Sequence, residues 1–266
     1  MRSVRIAEQS KARHFHCEYV LDPGGRKSAL LNSGLTQVRG DIVILTDDDV
    51  RPTPGWLHEL TKPITAGTLD AVSGRVTIAP HLQRSWMKPV HLAWLAATDY
   101  LDPTSPGAAV GANMAFARRV LDRVPAFDPE LRPGRLGLWE DTLFSMQLVK
   151  AGYRLGMATA AHVEHHFEPS RLNRAAFVSR ARSEGRSSAY VAWHWRHEFR
   201  SPPFWRLGKW HLHLLAKRAT RWSDWHQPEG MAEWEINLIT GIEFEQHFRA
   251  ESRRKRVYQK FALAKA

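Results

Sequence analysis

Over the first two thirds of the chain, short unbroken apolar runs alternate with segments whose apolar positions recur every three or four residues. The run DIVILT (Asp41–Thr46) is β-branched, continuous and too short for a stable helix, so it predicts a buried strand. FHCEYVL (Phe15–Leu21) reads as a shorter strand ahead of the turn DPGG. Between them, RKSALLNSGLTQV places Ala29, Leu30, Leu31, Leu35 and Val38 at helical intervals, with the helix starting at Arg26–Ser28. GWLHELTKPI begins a second helix, and LDAVSGRVTI a pair of strands. GAAVGANMAFARRVLDRV opens with small residues and turns helical at about Ala117. WEDTLFSMQLVKAG is a strong helix pattern carried by Leu143, Met146, Leu148 and Val149, with Gly152 placed to end it. YRLGMATAAHVEHHF then reads as a strand with a histidine-rich exit. This alternation predicts an α/β domain over residues 1–168 with a largely parallel sheet. Residues 169–266 read as a mainly helical, basic and aromatic extension, and the boundary is soft.

Composition narrows the class. A chain of 266 residues with 43% hydrophobic content can bury a sizeable core, and no run of 18 apolar residues predicts a spanning helix. The first ten residues lack the apolar centre of a signal peptide, and the single Cys17 excludes an intrachain disulfide. These features point to the cytoplasm, with peripheral contact at the inner face of a membrane as a further option. The charge of +11, from 38 Lys and Arg against 27 Asp and Glu, favours nucleotides, phospholipid headgroups or nucleic acid as partners; a merely soluble basic surface explains it equally well. Acidic clusters lie before residue 142, whereas Arg, His and Trp crowd the chain from Arg171 onward.

Three stretches carry candidate chemistry. Asp47, Asp48 and Asp49 follow a buried strand directly, and ligands of open α/β sheets bind beyond such strand ends. Alternation puts Asp47 and Asp49 on one side and Asp48 on the other. A divalent cation would relieve their repulsion, but a solvated turn before Pro52 and Pro54 accounts for the triplet as well. Glu140 and Asp141 open a helix, where the dipole favours carboxylates; they suit a general base or a plain helix cap. In HVEHH, His162 and His166 share one face and His165 takes the other, as metal ligands or as a polar strand end.

Taken in order, GGRKSALLNSGL, GDIVILTDDDVRPTPGWL, GANMAFARRVL, LWEDTLFSMQLVKAGYRL and AHVEHH resemble family 2 glycosyltransferases of the GT-A fold, over roughly Phe15 to Phe167. The resemblance implies an inverting transferase that takes a sugar from a nucleotide-diphosphate donor held through a divalent metal, Mg or Mn. Asp47 and Asp49 would form the Asp-x-Asp element, Asp49 on the metal and Asp47 nearer the ribose, with Asp48 beside them in the donor-binding set. Asp141 would be the base, and Glu140 would orient the acceptor or share that role. His165, 24 residues after Asp141, matches the family's metal- or phosphate-contacting histidine. Lys27 and Asn32 resemble the nucleotide-binding segment, and Gly111, Ala112 and Asn113 the loop lining the sugar and acceptor pocket. Trp139 stands where many relatives carry glycine and could stack on a sugar ring. The implied acceptor is a glycan or lipid-linked hydroxyl, in surface glycan or polysaccharide biosynthesis.

The family's opening strand and the acidic second strand have no counterpart in MRSVRIAEQSKARHF, so roughly 50 residues of nucleotide-binding sheet are expected to be missing. An N-terminus upstream of Met1, a truncated and non-catalytic binding or scaffold protein, or cover of the exposed sheet by residues 1–14 or the C-terminal segment would explain this. In the C-terminal third, Arg180, Arg182 and Arg186 could reach a diphosphate or an anionic acceptor. Trp205, Trp210 and Leu214 with Arg206, Lys209, Lys217 and Arg218 fit either a membrane surface or packing on the catalytic domain. RAESRRKRVYQKFALAKA reads as a solvated helix or frayed end. The aromatic and basic interleaving also suits nucleic acid, but no such motif is present and no nucleic-acid partner is expected.

Overall fold

A computed structural model describes residues 27–131, 134–200 and 204–266. The strand expected at Phe15–Leu21 lies outside them. Helix α1 (Lys27–Leu35) leads into β1 (Ile42–Thr46), the DIVILT strand, and β2 is the short Val50–Pro52. Then follow α2 (Trp56–Thr65), β3 (Ala71–Ile78), α3 (Pro89–Trp94), β4 (Asn113–Ala117), α4 (Glu140–Lys150) and β5 (Leu155–His165). Helices α5 (Arg174–His194), α6 (Phe204–Thr220), α7 (Trp222–Trp225) and α8 (Glu233–Glu251) complete the chain.

The sheet order is β1-β4-β3-β5-β2. Among the described residues only the β3–β5 pair is parallel; β1–β4, β3–β4 and β2–β5 are antiparallel. The largely parallel sheet expected from strand–helix alternation is therefore corrected to a mixed one. The difference arises in Gly107–Val124, where a late helix was expected. Asn113–Ala117, ahead of the expected helix, form β4, buried at all five positions, and the helix expected from about Ala117 is a 3-10 helix over Arg118–Asp122. LDAVSGRVTI is one strand, not two, bent where the register with β5 shifts between Gly74 and Arg75. Any side chain at Gly74 would collide with Asn113, whose amide lies 2.2 Å from the position of a Cβ.

The sheet works in two halves. Residues Ala71–Ser73 of β3 pair with β4, which pairs with β1, while Val163–His165 of β5 pair with β2. The aspartate triplet is the link from β1 to β2, so it joins the halves. Leu60 and Ile64 of α2 pack on Val72, Ala115 and Ala161, and Phe144 of α4 stacks on Phe127 with ring centroids 4.4 Å apart. Another core cluster unites Ile78, Leu82 and Trp94 with Phe167, Phe177, Ile236 and Ile239, so its packing crosses residue 169.

The C-terminal tail is neither a solvated helix nor a frayed end. After α8 it folds back: Tyr258 is buried, the Trp195 indole donates to the Ala262 carbonyl at 2.8 Å, and Lys265 Nζ lies 2.6 Å from buried Asp128. Trp210 rests against Gly241 of α8 and Leu214 packs into the core, so both belong to the buried side of α6.

Candidate active site

The link between the sheet halves is fixed from both sides. Thr46 Oγ1 donates to the Ala112 carbonyl at 3.2 Å, and the Asp49 carbonyl accepts the His166 N–H at 2.7 Å. In the turn between β1 and β2, Asp48 is exposed while Asp47 and Asp49 are half-buried. This brings Asp49 against the end of β5, where His165 is fully buried.

The protonation state of His165 follows from its partners. Its Nδ1 sits 2.8 Å from the Leu95 carbonyl, a bond that requires the proton on Nδ1. Burial, and next the Arg171 guanidinium, lower its pKa and favour the neutral ring. A neutral ring protonated on Nδ1 leaves Nε2 with a lone pair. That lone pair lies 3.2 Å from Asp49 Oδ1, a buried oxygen with no hydrogen-bond donor. Two acceptors thus face each other. Arg171 supplies the positive charge: its Nη1 donates to Nε2 at 3.3 Å and lies 3.6 Å from Asp49 Oδ2. His162 and His166 turn elsewhere, to Thr77 and Glu164.

A second pole lies at the start of α4. Asp141 Oδ2 accepts the Gly111 N–H at 3.1 Å and Oδ1 accepts the Thr142 N–H at 2.7 Å, so the Gly111 loop and the helix N-terminus aim one carboxylate. Arg180 of α5 connects the poles. It feels Arg171 on one side and Asp141, Glu140 and Glu184 on the other; burial and then Arg171 pull its pKa down to about 10. Its Nε is buried without a partner. Glu184, one helical turn on, accepts the Trp139 indole N–H at 2.9 Å and bonds to Trp94; burial pushes its carboxyl up. Trp139 caps α4 at φ 82°, in the left-handed region that favours glycine.

Some expected site residues serve the fold instead. Asn32 clamps the backbone of Phe127, with Nδ2 donating to its carbonyl and Oδ1 accepting its N–H, both at 2.9 Å. Asn113 is buried in the sheet, donating to the Arg75 and Ala161 carbonyls and accepting the Trp56 indole N–H. Ala112 is also buried, so of that loop Gly111 alone is seen to meet Asp141. The side chain of Lys27 lies outside the described residues. Sequence reading missed Arg171, Glu184 and the role of Trp94. Arg171, six residues past His165, looks like one more surface arginine, and Arg180 and Glu184 like an ordinary i,i+4 helix pair.

Residues 2–124 match the family model described as glycosyl transferase family 2. The match includes Asp47–Asp49 and ends before Glu140, Asp141 and His165. No curated protein matches the chain. Among solved structures, the mannosyltransferase PcManGT from Pyrobaculum calidifontis, in complex with GDP-Man and Mn2+, aligns with a TM-score of 0.54 at 15% identity, covering 94% of this chain and 73% of that one. S. aureus TarS 1–349 aligns with a TM-score of 0.47 at 13% identity, covering 97% and 80% of the two chains. The first of these shares the fold.

Proposed function

We propose, for a chain that resembles family 2 glycosyltransferases and is on that ground a glycosyltransferase, an inverting transfer that depends on a divalent cation. The sugar would come from a nucleoside-diphosphate donor and go to a hydroxyl of a glycan or lipid-linked acceptor, in surface glycan or polysaccharide assembly. The observation that carries this reading is the pair of opposed acceptors, Asp49 Oδ1 and His165 Nε2, 3.2 Å apart. The orphaned buried oxygen and the neutral imidazole fit a cation. Among the described residues no group of three or more His, Cys, Asp or Glu could hold a metal. Asp49 and His165, already facing each other, would be its protein ligands, and oxygens of the donor would complete the shell. When bound, the cation supplies charge neutralisation for the leaving diphosphate.

The chain's own residues do the rest. Arg180, with its open Nε, and Arg171 offer fixed positive charge in a desolvated place, where it acts more strongly than in water. Asp47 faces the ribose side. Asp141, aimed by the Gly111 and Thr142 amides, takes the acceptor hydroxyl's proton. The acceptor oxygen bonds to the anomeric carbon as the bond to the diphosphate breaks on the opposite face, so configuration inverts. Glu140 orients the acceptor or shares the proton, and the Trp139 indole, anchored on Glu184, offers a face to a sugar ring. GDP-Man and Mn2+ in PcManGT support a nucleoside-diphosphate sugar and a divalent ion as the first classes to assay.

Asp141→Asn should lower transfer about 10³-fold while leaving nucleotide binding in place. Asp49→Ala should abolish the metal-stimulated part of donor hydrolysis. Equal loss of donor affinity in Asp141→Asn would remove the base assignment.

A further inference from the structure

Of the eight large apolar residues exposed among the described residues, five fall between Phe199 and Trp222: Phe199, Trp205, Leu212, Leu215 and Trp222. Three lie on α6. A helical repeat of 100° per residue puts Leu212 and Leu215 within about 80° of Trp205, opposite Leu214, which packs into the core. Trp222 is 63% exposed immediately beyond the helix end. The face is therefore an apolar stripe that continues past α6 and points away from the protein.

The charge around it is one-sided. Helix α6 contains Arg206, Lys209, Lys217 and Arg218 and no acidic residue. Arg218 is engaged by Glu235, Lys217 lies over the Trp234 ring, and Arg221, half exposed near the end of the stripe, is paired with Asp224 at 3.7 Å, but Lys209 is exposed beside the stripe. Trp205, Trp222, Leu212 and Leu215 expose roughly 500 Å² between them. A stable protein dimer buries about 800 Å² per partner, so this patch is small for a second copy. It is sufficient for shallow insertion at the headgroup boundary, where indoles reside and lysines meet anionic lipid. No described helix is long and apolar enough to cross a membrane.

We propose that the outer face of α6, with Trp222, docks the protein on an anionic lipid bilayer by inserting Trp205, Leu212 and Leu215 between headgroups that Lys209 and Arg221 contact. This docking is independent of the active-site reading, since none of these residues belongs to that site.

The full chain should co-sediment with vesicles of equal parts phosphatidylglycerol and phosphatidylcholine, and much less with phosphatidylcholine alone. Added salt should weaken the binding, because the charged part is screened. The double substitution Leu212→Glu and Leu215→Glu should cut partitioning at least about tenfold. Circular dichroism and donor hydrolysis should stay unchanged, since both side chains are exposed. Lys209→Glu should weaken binding to the anionic vesicles only. Absence of sedimentation by the parent chain overturns the proposal, as does equal binding by the double variant. A parent dimer in light scattering that the double variant converts to monomer, with no vesicle binding, would assign the face to a second copy instead.

Discussion

Single side chains in this protein do work that their identity leaves open. His91 is an example outside the active site. Its Nδ1 accepts the Lys88 N–H at 3.0 Å, and its Nε2 donates to the Met231 carbonyl at 2.7 Å, so the neutral ring satisfies both neighbours. Burial lowers its pKa from the ordinary 6.5. A second proton would place N–H against N–H. The unfolded chain accepts that proton near pH 6.5, whereas the folded chain resists it to lower pH. The stability His91 contributes is thus complete above pH 6.5 and is lost as pH falls through the folded value. Melting temperature should drop on acidification across that range, and His91→Gln should flatten the drop. His162 and His165 shift in the same direction, so the slope should shrink without vanishing. The asparagines teach the same lesson in reverse. Asn32 and Asn113 looked like ligand contacts, and the fold brings each its partners: the Phe127 backbone for Asn32, and the Arg75 and Ala161 carbonyls with the Trp56 indole for Asn113.

At the scale of elements, contact between α5 and α8 is set by a small residue. A Cβ on Gly185 would stand 2.4 Å from the Thr240 carbonyl and 2.8 Å from the Phe244 nitrogen, both backbone atoms that cannot step aside. Gly185→Ala should destabilise the protein by about 2 kcal/mol in urea unfolding, because the helices must separate. An unchanged midpoint would mean that the pair yields more easily than its backbone contacts imply. Most elements were legible in the sequence: DIVILT as β1, the Glu140–Lys150 helix, and the long β5 with its histidines. Strand β4 was not. NMAFA is uncharged and compatible with either state, and what makes it a strand is pairing with Ile42–Thr46 and Ala71–Ser73, far away in sequence.

At the scale of the molecule, the tail and the C-terminal helices complete the core beside the candidate site. Asp128 Oδ2 accepts from the hydroxyls of Tyr190 at 2.9 Å and Tyr258 at 2.6 Å, and its Oδ1 is paired with Lys265. Ending the chain at Lys255 removes two of these three partners and leaves a buried carboxylate short of charge and donors. A loss of about 3 kcal/mol is expected, measured by chemical denaturation of the two lengths. An equal midpoint for both would show that the tail is dispensable. Helix α5 matters more directly, because it delivers Arg180 and Glu184 between the Asp49 and Asp141 poles. A site read from residues up to His165 alone lacks the cations that balance its carboxylates.

Apolar periodicity and motif order, which are local properties of the chain, determined the α/β class, most helices, and the aspartate, carboxylate and histidine segments that resemble a family. Tertiary structure decided that β4 runs backward through the sheet, that His165 and not its neighbours meets Asp49, and that arginines from α5 and the preceding turn enter the site. The physical reason is range. Periodicity records which face of an element is buried, whereas hydrogen bonds and charge pairing between distant segments, such as Asp128 with Tyr258, 130 residues apart, exist only once the core has brought them together.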